Sequence, residues 1–66
     1  MEDEPTQVAV EFAATSDELW ALAQLVKRIT WGDVRGCAVD EQETRVMLLA
    51  LQKLRRELAE QGFAPR

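Results

Sequence analysis

The chain of 66 residues predicts a mostly helical α+β fold: one N-terminal strand, then a helix, a short helix and a long helix (βααα). Three observations predict it. Residues 7–12 alternate strictly between polar or small and large apolar side chains. Three Thr or Asp residues each precede an acid by three positions, the signature of a helix start. Gly62 and Pro65 then close the last apolar stripe.

Residues 1–5 are acidic and end in Pro5, so a disordered tail is expected ahead of a single domain over residues 6–66. From Gln7 the chain places Val8, Val10 and Phe12 on one side and Gln7, Ala9 and Glu11 on the other, the period of a half-buried strand. Thr15 with Glu18 forms a capping box, and Leu19, Leu22, Ala23, Val26 and Ile29 follow at helical spacing. Trp20 lies well off that stripe. Thr30 with Asp33 predicts a short helix over roughly residues 31–38, weakened by Gly32 and Gly36. Asp40 with Glu43 starts a long helix over about residues 41–61, with Met47, Ala50, Leu51, Leu54 and Leu58 as its main stripe. Gly62 supplies a left-handed C-terminal residue, Phe63 is placed to fold back on Leu58, and Pro65 blocks continuation.

Composition excludes several kinds of chemistry. Histidine is absent, which removes imidazole catalysis, Ser-His and Cys-His nucleophile pairs and His-ligated zinc. The single cysteine, Cys37, permits no disulfide or thiolate zinc site within one chain. The longest apolar run, Val46 to Leu51, falls far short of the roughly 20 residues that span a bilayer. Met1 leads into Glu2-Asp3-Glu4, where a secretory signal needs a basic start, so a cytoplasmic location is expected. Asp17/Glu18 and Asp40/Glu41/Glu43 sit where helix caps want acids, and neither group has a calcium-loop spacing. Neither catalysis nor a metal or other cofactor is expected. Cys37 is expected to act as a small buried hydrophobe.

The formal net charge of −4 is unevenly placed. Glu2, Asp3, Glu4 and Glu11 carry all of it, while residues 15–39 and 40–66 are each balanced. A nucleic-acid binder shows a basic stripe, so nucleic acid is an unexpected partner.

Association is the expected source of stability, because chains below about 70–80 residues rarely bury enough apolar surface alone. A lone strand needs a mate for its backbone groups, and an antiparallel ribbon across a homodimer supplies one; addition to another protein's sheet or an arm packed on the helices are the alternatives. Leu48 and Leu49 point more than about 100° from the stripe through Leu54. Burying both contributes roughly 3–6 kcal/mol. Val8, Val10, Trp20, Leu48 and Leu49 are therefore the candidate interface residues. Lys27, Arg28, Trp31 and Arg35 are candidate partner-binding residues, an aromatic flanked by cations that could grip an acidic surface, unless Trp31 merely caps the core.

Strand, helix, helix in a compact dimeric chain resembles the ribbon-helix-helix DNA-binding proteins and their antitoxin relatives. That resemblance implies a two-strand ribbon whose outward residues read the major groove. Here those residues are Gln7, Ala9 and Glu11, of which only Gln7 suits the task. Lys27-Arg28-Ile29-Thr30-Trp31, Ala38-Val39-Asp40, Glu43, Met47, Leu54-Arg55, Leu58 and the ending Gly62-Phe63-Ala64-Pro65-Arg66 are similar to a family of short uncharacterised bacterial proteins of plasmids, phages and mobile elements. The similarity covers residues 27–66 and implies an accessory-gene setting without an activity. The expected function is a non-enzymatic protein–protein interaction module acting as a small homodimer. The alternatives are a mobile-element inhibitor of a nucleic-acid-handling defence system, of anti-CRISPR or anti-restriction type, and a ribbon-helix-helix-like autoregulator.

Overall fold

The structure, a computed structural model, describes residues 6–66; the expected acidic tail lies outside the described residues. Three helices follow one another: α1 (Ser16–Arg28), α2 (Trp31–Cys37) and α3 (Glu41–Glu60). The fold is mostly helical, as expected.

Local chemistry fixes each boundary. The Glu18 amide donates to Thr15 Oγ1 at 3.1 Å and the Thr15 amide donates to Glu18 Oε1 at 2.9 Å, a complete capping box. Asp17 and Glu18 sit in the first turn of α1 and Lys27 and Arg28 in its last, each matching the helix dipole. Thr30 and Asp33 repeat the box at the start of α2, with amide contacts of 2.9 and 3.1 Å. The third start differs in detail. Asp40 Oδ1 accepts from the Glu43 amide at 2.8 Å, but the Glu43 carboxylate reaches one residue further back, to the Val39 amide, also at 2.8 Å.

The end of α3 is a Schellman motif. The Phe63 amide donates to the Leu58 carbonyl at 2.8 Å, the Gly62 amide to the Ala59 carbonyl at 3.0 Å, and Gly62 has φ 99°. The positive φ explains the glycine, since any Cβ there would be strained.

Helix α3 is the shared support on which both α1 and α2 pack. Ala23 and Val26 of α1, Val34 of α2 and Leu58 of α3 are the buried apolar residues among those described. The α1 stripe from Leu19 to Ile29 is turned inward as its spacing predicts. The α3 stripe faces inward in part: Leu58 is buried, Met47, Leu51 and Leu54 are half-buried and Ala50 is exposed, and Thr44, fully buried at 0% exposure, joins the core-facing line. Leu48, expected off the core, is half-buried on the Thr44 side. Thr44 tolerates burial because its hydroxyl donates to the Asp40 carbonyl at 2.9 Å, leaving a methyl to pack.

Residues 6–14 form neither helix nor strand ladder in the single chain. Val8, Val10 and Phe12 are 78%, 84% and 61% exposed. A ladder needs a second strand, and the described residues of one chain offer none. No helix among the described residues is long and apolar enough to cross a membrane.

Candidate functional site: an open apolar groove

The principal concavity lies on α3. Met47, Ala50, Leu51 and Leu54 form its floor, Val34 and Cys37 of α2 form one wall, and Ile29 closes the end where α1 gives way to α2. Its volume is about 330 Å³. The four α3 positions are spaced i, i+3, i+4, i+7, the same seam that two packed helices share.

The reason the seam is open lies in α2. That helix has only seven residues, Trp31–Cys37, and two of them are glycines. Val34 is its one buried residue, so it covers the edge of the α3 arc and leaves the rest wet. Cys37 stands on this wall as an exposed free thiol, correcting the expectation of a buried cysteine.

Apolar exposure continues around the molecule. Val46 and Leu49 on the far side of α3 are 54% and 58% exposed, and Leu25 on α1 is 58% exposed. Isolated exposed leucines need no cause, but a seam and a second apolar strip on one helix leave apolar surface of α3 facing water on two sides.

The expected partner-binding residues gather at the junction of α1 and α2. Lys27 and Arg28 fill the last turn of α1, and Trp31 opens α2 at 55% exposure. Trp31 therefore does not cap the core. Arg35 is held against the backbone, its Nη1 donating to the Ala38 carbonyl at 3.3 Å. Asp33, two residues after Trp31, is an aspartate whose pKa lies below its ordinary value because the Thr30 amide and then the Thr30 hydroxyl donate to its carboxylate.

Of the expected interface residues, Val8, Val10 and Leu49 are freely exposed and Leu48 is partly covered. Trp20 has an intramolecular neighbour. Its ring meets Phe63 edge-on with centroids 5.2 Å apart, which accounts for a large aromatic away from the α1 stripe. A smaller concavity of about 220 Å³ is lined by Ala23, Arg55, Leu58, Phe63 and Pro65. Among the described residues no three of Cys, Asp and Glu group as metal ligands.

Sequence reasoning missed the groove and Thr44. Two glycines in a helix of seven were the available signal, because a helix short of side chains cannot roof a wide apolar arc.

Set against known proteins, residues 1–66 match the model of a protein family of unknown function. No curated protein and no solved structure matches the chain.

Proposed function

This chain belongs to the DUF7706 family of unknown function, and from that premise we propose that it is a non-enzymatic protein–protein interaction module that acts as a small homodimer. The observation that carries the reading is the open seam Met47-Ala50-Leu51-Leu54 on a helix whose opposite strip, Val46 and Leu49, is also wet. Surface of this kind is costly to hydrate, at about 25 cal/mol for each Å² of apolar area. A second molecule removes that cost.

Exposed Val8, Val10 and Phe12 support the same reading, because an alternating segment gains both backbone partners and burial when two copies pair as an antiparallel ribbon. Trp31 with Lys27 and Arg28 offers a further contact patch of the composition that binding hot spots favour. The similarity of residues 27–66 to short proteins of mobile elements supports a bacterial accessory-gene setting. An exposed, unpaired thiol fits a reducing, cytoplasmic compartment.

Sedimentation equilibrium across the micromolar range tests the dimer. The expected mass is twice that of the chain, falling toward the single-chain mass in Leu54→Glu, with helix content preserved because Leu54 is only half-buried. A wild-type chain that sediments singly throughout overturns the proposal.

A further inference from the structure

We infer that the N-terminal segments of two copies pair antiparallel about Val10, so that Val10 lies opposite the partner's Val10 and Val8 opposite the partner's Phe12. The inference rests on the dimer reading and fixes the register of its ribbon.

The segment carries the groups for pairing and does not use them within one chain. Residues 6–14 make no strand ladder, and among the described residues the backbone hydrogen bonds outside the helices begin at Thr15. Val8, Val10 and Phe12 are all exposed. Thr15, at φ −73° and ψ 161°, carries extended backbone up to the first turn of α1. The same segment of a second copy supplies backbone partners and an apolar side of matching period.

Alternation limits the registers. Directly opposite residues of an antiparallel pair share a face, so a shift of one residue sets Val8, Val10 and Phe12 against the polar or small side of the partner. Centres at Ala9, Val10 and Glu11 keep the two apolar sides together. About Ala9, Val8 meets the partner's Val10 but Phe12 meets the partner's Thr6. About Glu11, two carboxylates stand directly opposite and Val8 meets the partner's Ala14. About Val10, every one of the three large apolar residues meets another, and Glu11 meets the partner's Ala9. Centres nearer either end pair fewer apolar residues.

The choice follows from what opposite residues do to each other. Apolar cross-strand pairs stabilise a ribbon, and like charges directly opposite destabilise it. The Val10 centre has the most of the first and none of the second. A parallel, in-register pair fails as the Glu11 centre does, because it sets Glu11 beside the partner's Glu11.

Charge reads the register directly. In full-length Ala9→Lys the Val10 centre places each new ammonium opposite the partner's Glu11. The dimer dissociation constant, from sedimentation at low salt, is then expected to fall about fivefold, with the gain shrinking at high salt. About Ala9 the two ammonium groups would face each other, so a weaker dimer overturns the inference. An unchanged dimer overturns it as well, since about Glu11, or with no ribbon, position 9 meets no acid.

Cross-linking gives a second reading. Ala9→Cys, Val10→Cys and Glu11→Cys are each made in full-length Cys37→Ser, whose only natural thiol is thereby removed, and oxidised gently. Val10→Cys is expected to form covalent dimers at least about tenfold faster than the other two. Its Cα atoms lie about 4.5–5.5 Å apart across the ribbon, whereas the position-9 and position-11 pairs are diagonal at about 7–8 Å, beyond a disulfide's reach. Fastest linkage at position 9 or 11, or equal rates at all three, overturns the inference. If these failures occur in a chain that still sediments as a dimer, the register falls and the dimer stands; if the wild-type chain sediments singly, both fall.

Discussion

Trp20 of α1 meets Phe63 at the end of α3 edge-to-face, with centroids 5.2 Å apart and ring planes at 72°. The contact joins two signals of different range. Phe63 is placed by the Schellman motif, a matter of a few local hydrogen bonds, and Trp20 by the position of α1 on α3. The tail is thereby tied to a helix more than forty residues earlier in the sequence.

Coupling between the two rings is the first expectation. An edge-to-face pair contributes about 0.5–1.5 kcal/mol beyond its area. A double-mutant cycle of Trp20→Leu and Phe63→Leu, read by urea unfolding, is expected to show an interaction energy in that range. Additive losses would mean that each ring packs independently.

Thr44 is the second. Its amide and its hydroxyl both donate to the Asp40 carbonyl, at 3.1 and 2.9 Å, so that carbonyl keeps a partner if the hydroxyl is removed. Thr44→Val retains the buried shape and is expected to change stability by less than about 1 kcal/mol. Thr44→Ser keeps the hydroxyl but empties a methyl-sized space, and is expected to cost about 1 kcal/mol. Denaturation midpoints that reverse this order would show that the hydroxyl outweighs the methyl.

The helix boundaries were legible in the sequence because caps are four-residue events: Thr15 to Glu18, Thr30 to Asp33, Asp40 to Glu43 and Leu58 to Phe63. The inward side of α1 was legible because its apolar residues occupy one narrow stripe. On α3 the apolar residues from Ala50 round to Leu48 cover an arc of roughly 160° at 100° per residue, too wide for periodicity to choose a centre. The core settled toward Thr44, which reads as polar yet can satisfy its hydroxyl within its own helix. The groove follows from that choice together with the sparse side chains of α2. Neither is a local property, so neither shows in a window of sequence.

Gly36 and Gly62 are expected to respond to alanine with opposite signs. Gly36 lies within α2, and a Cβ built there meets nothing within 4 Å. Gly36→Ala therefore restricts the unfolded chain without a clash and is expected to stabilise by about 0.4–1 kcal/mol. Gly62 also has open space around it, but its φ of 99° lies in the left-handed region. Gly62→Ala is expected to cost about 1 kcal/mol or more through backbone strain alone. Thermal unfolding of the two variants checks the pair, and equal signs would refute the conformational account.

Asp33 sets an acid limit on α2. Its pKa is lowered from 3.8 by the hydrogen bond from the Thr30 amide and, next, by that from the Thr30 hydroxyl. A depressed folded-state pKa means that the unfolded chain binds the proton first as pH falls. The cap's contribution is therefore complete well above pH 3.8, declines as pH drops past that value, and is lost once pH falls through the lowered folded value. Asp33→Asn has no such titration, and the other carboxylates are common to both chains. The difference in urea midpoint between wild type and Asp33→Asn is expected to be flat above about pH 5 and to shrink steadily below about pH 4. A difference that widens on acidification would show that the Thr30–Asp33 pair does not favour the charged carboxylate.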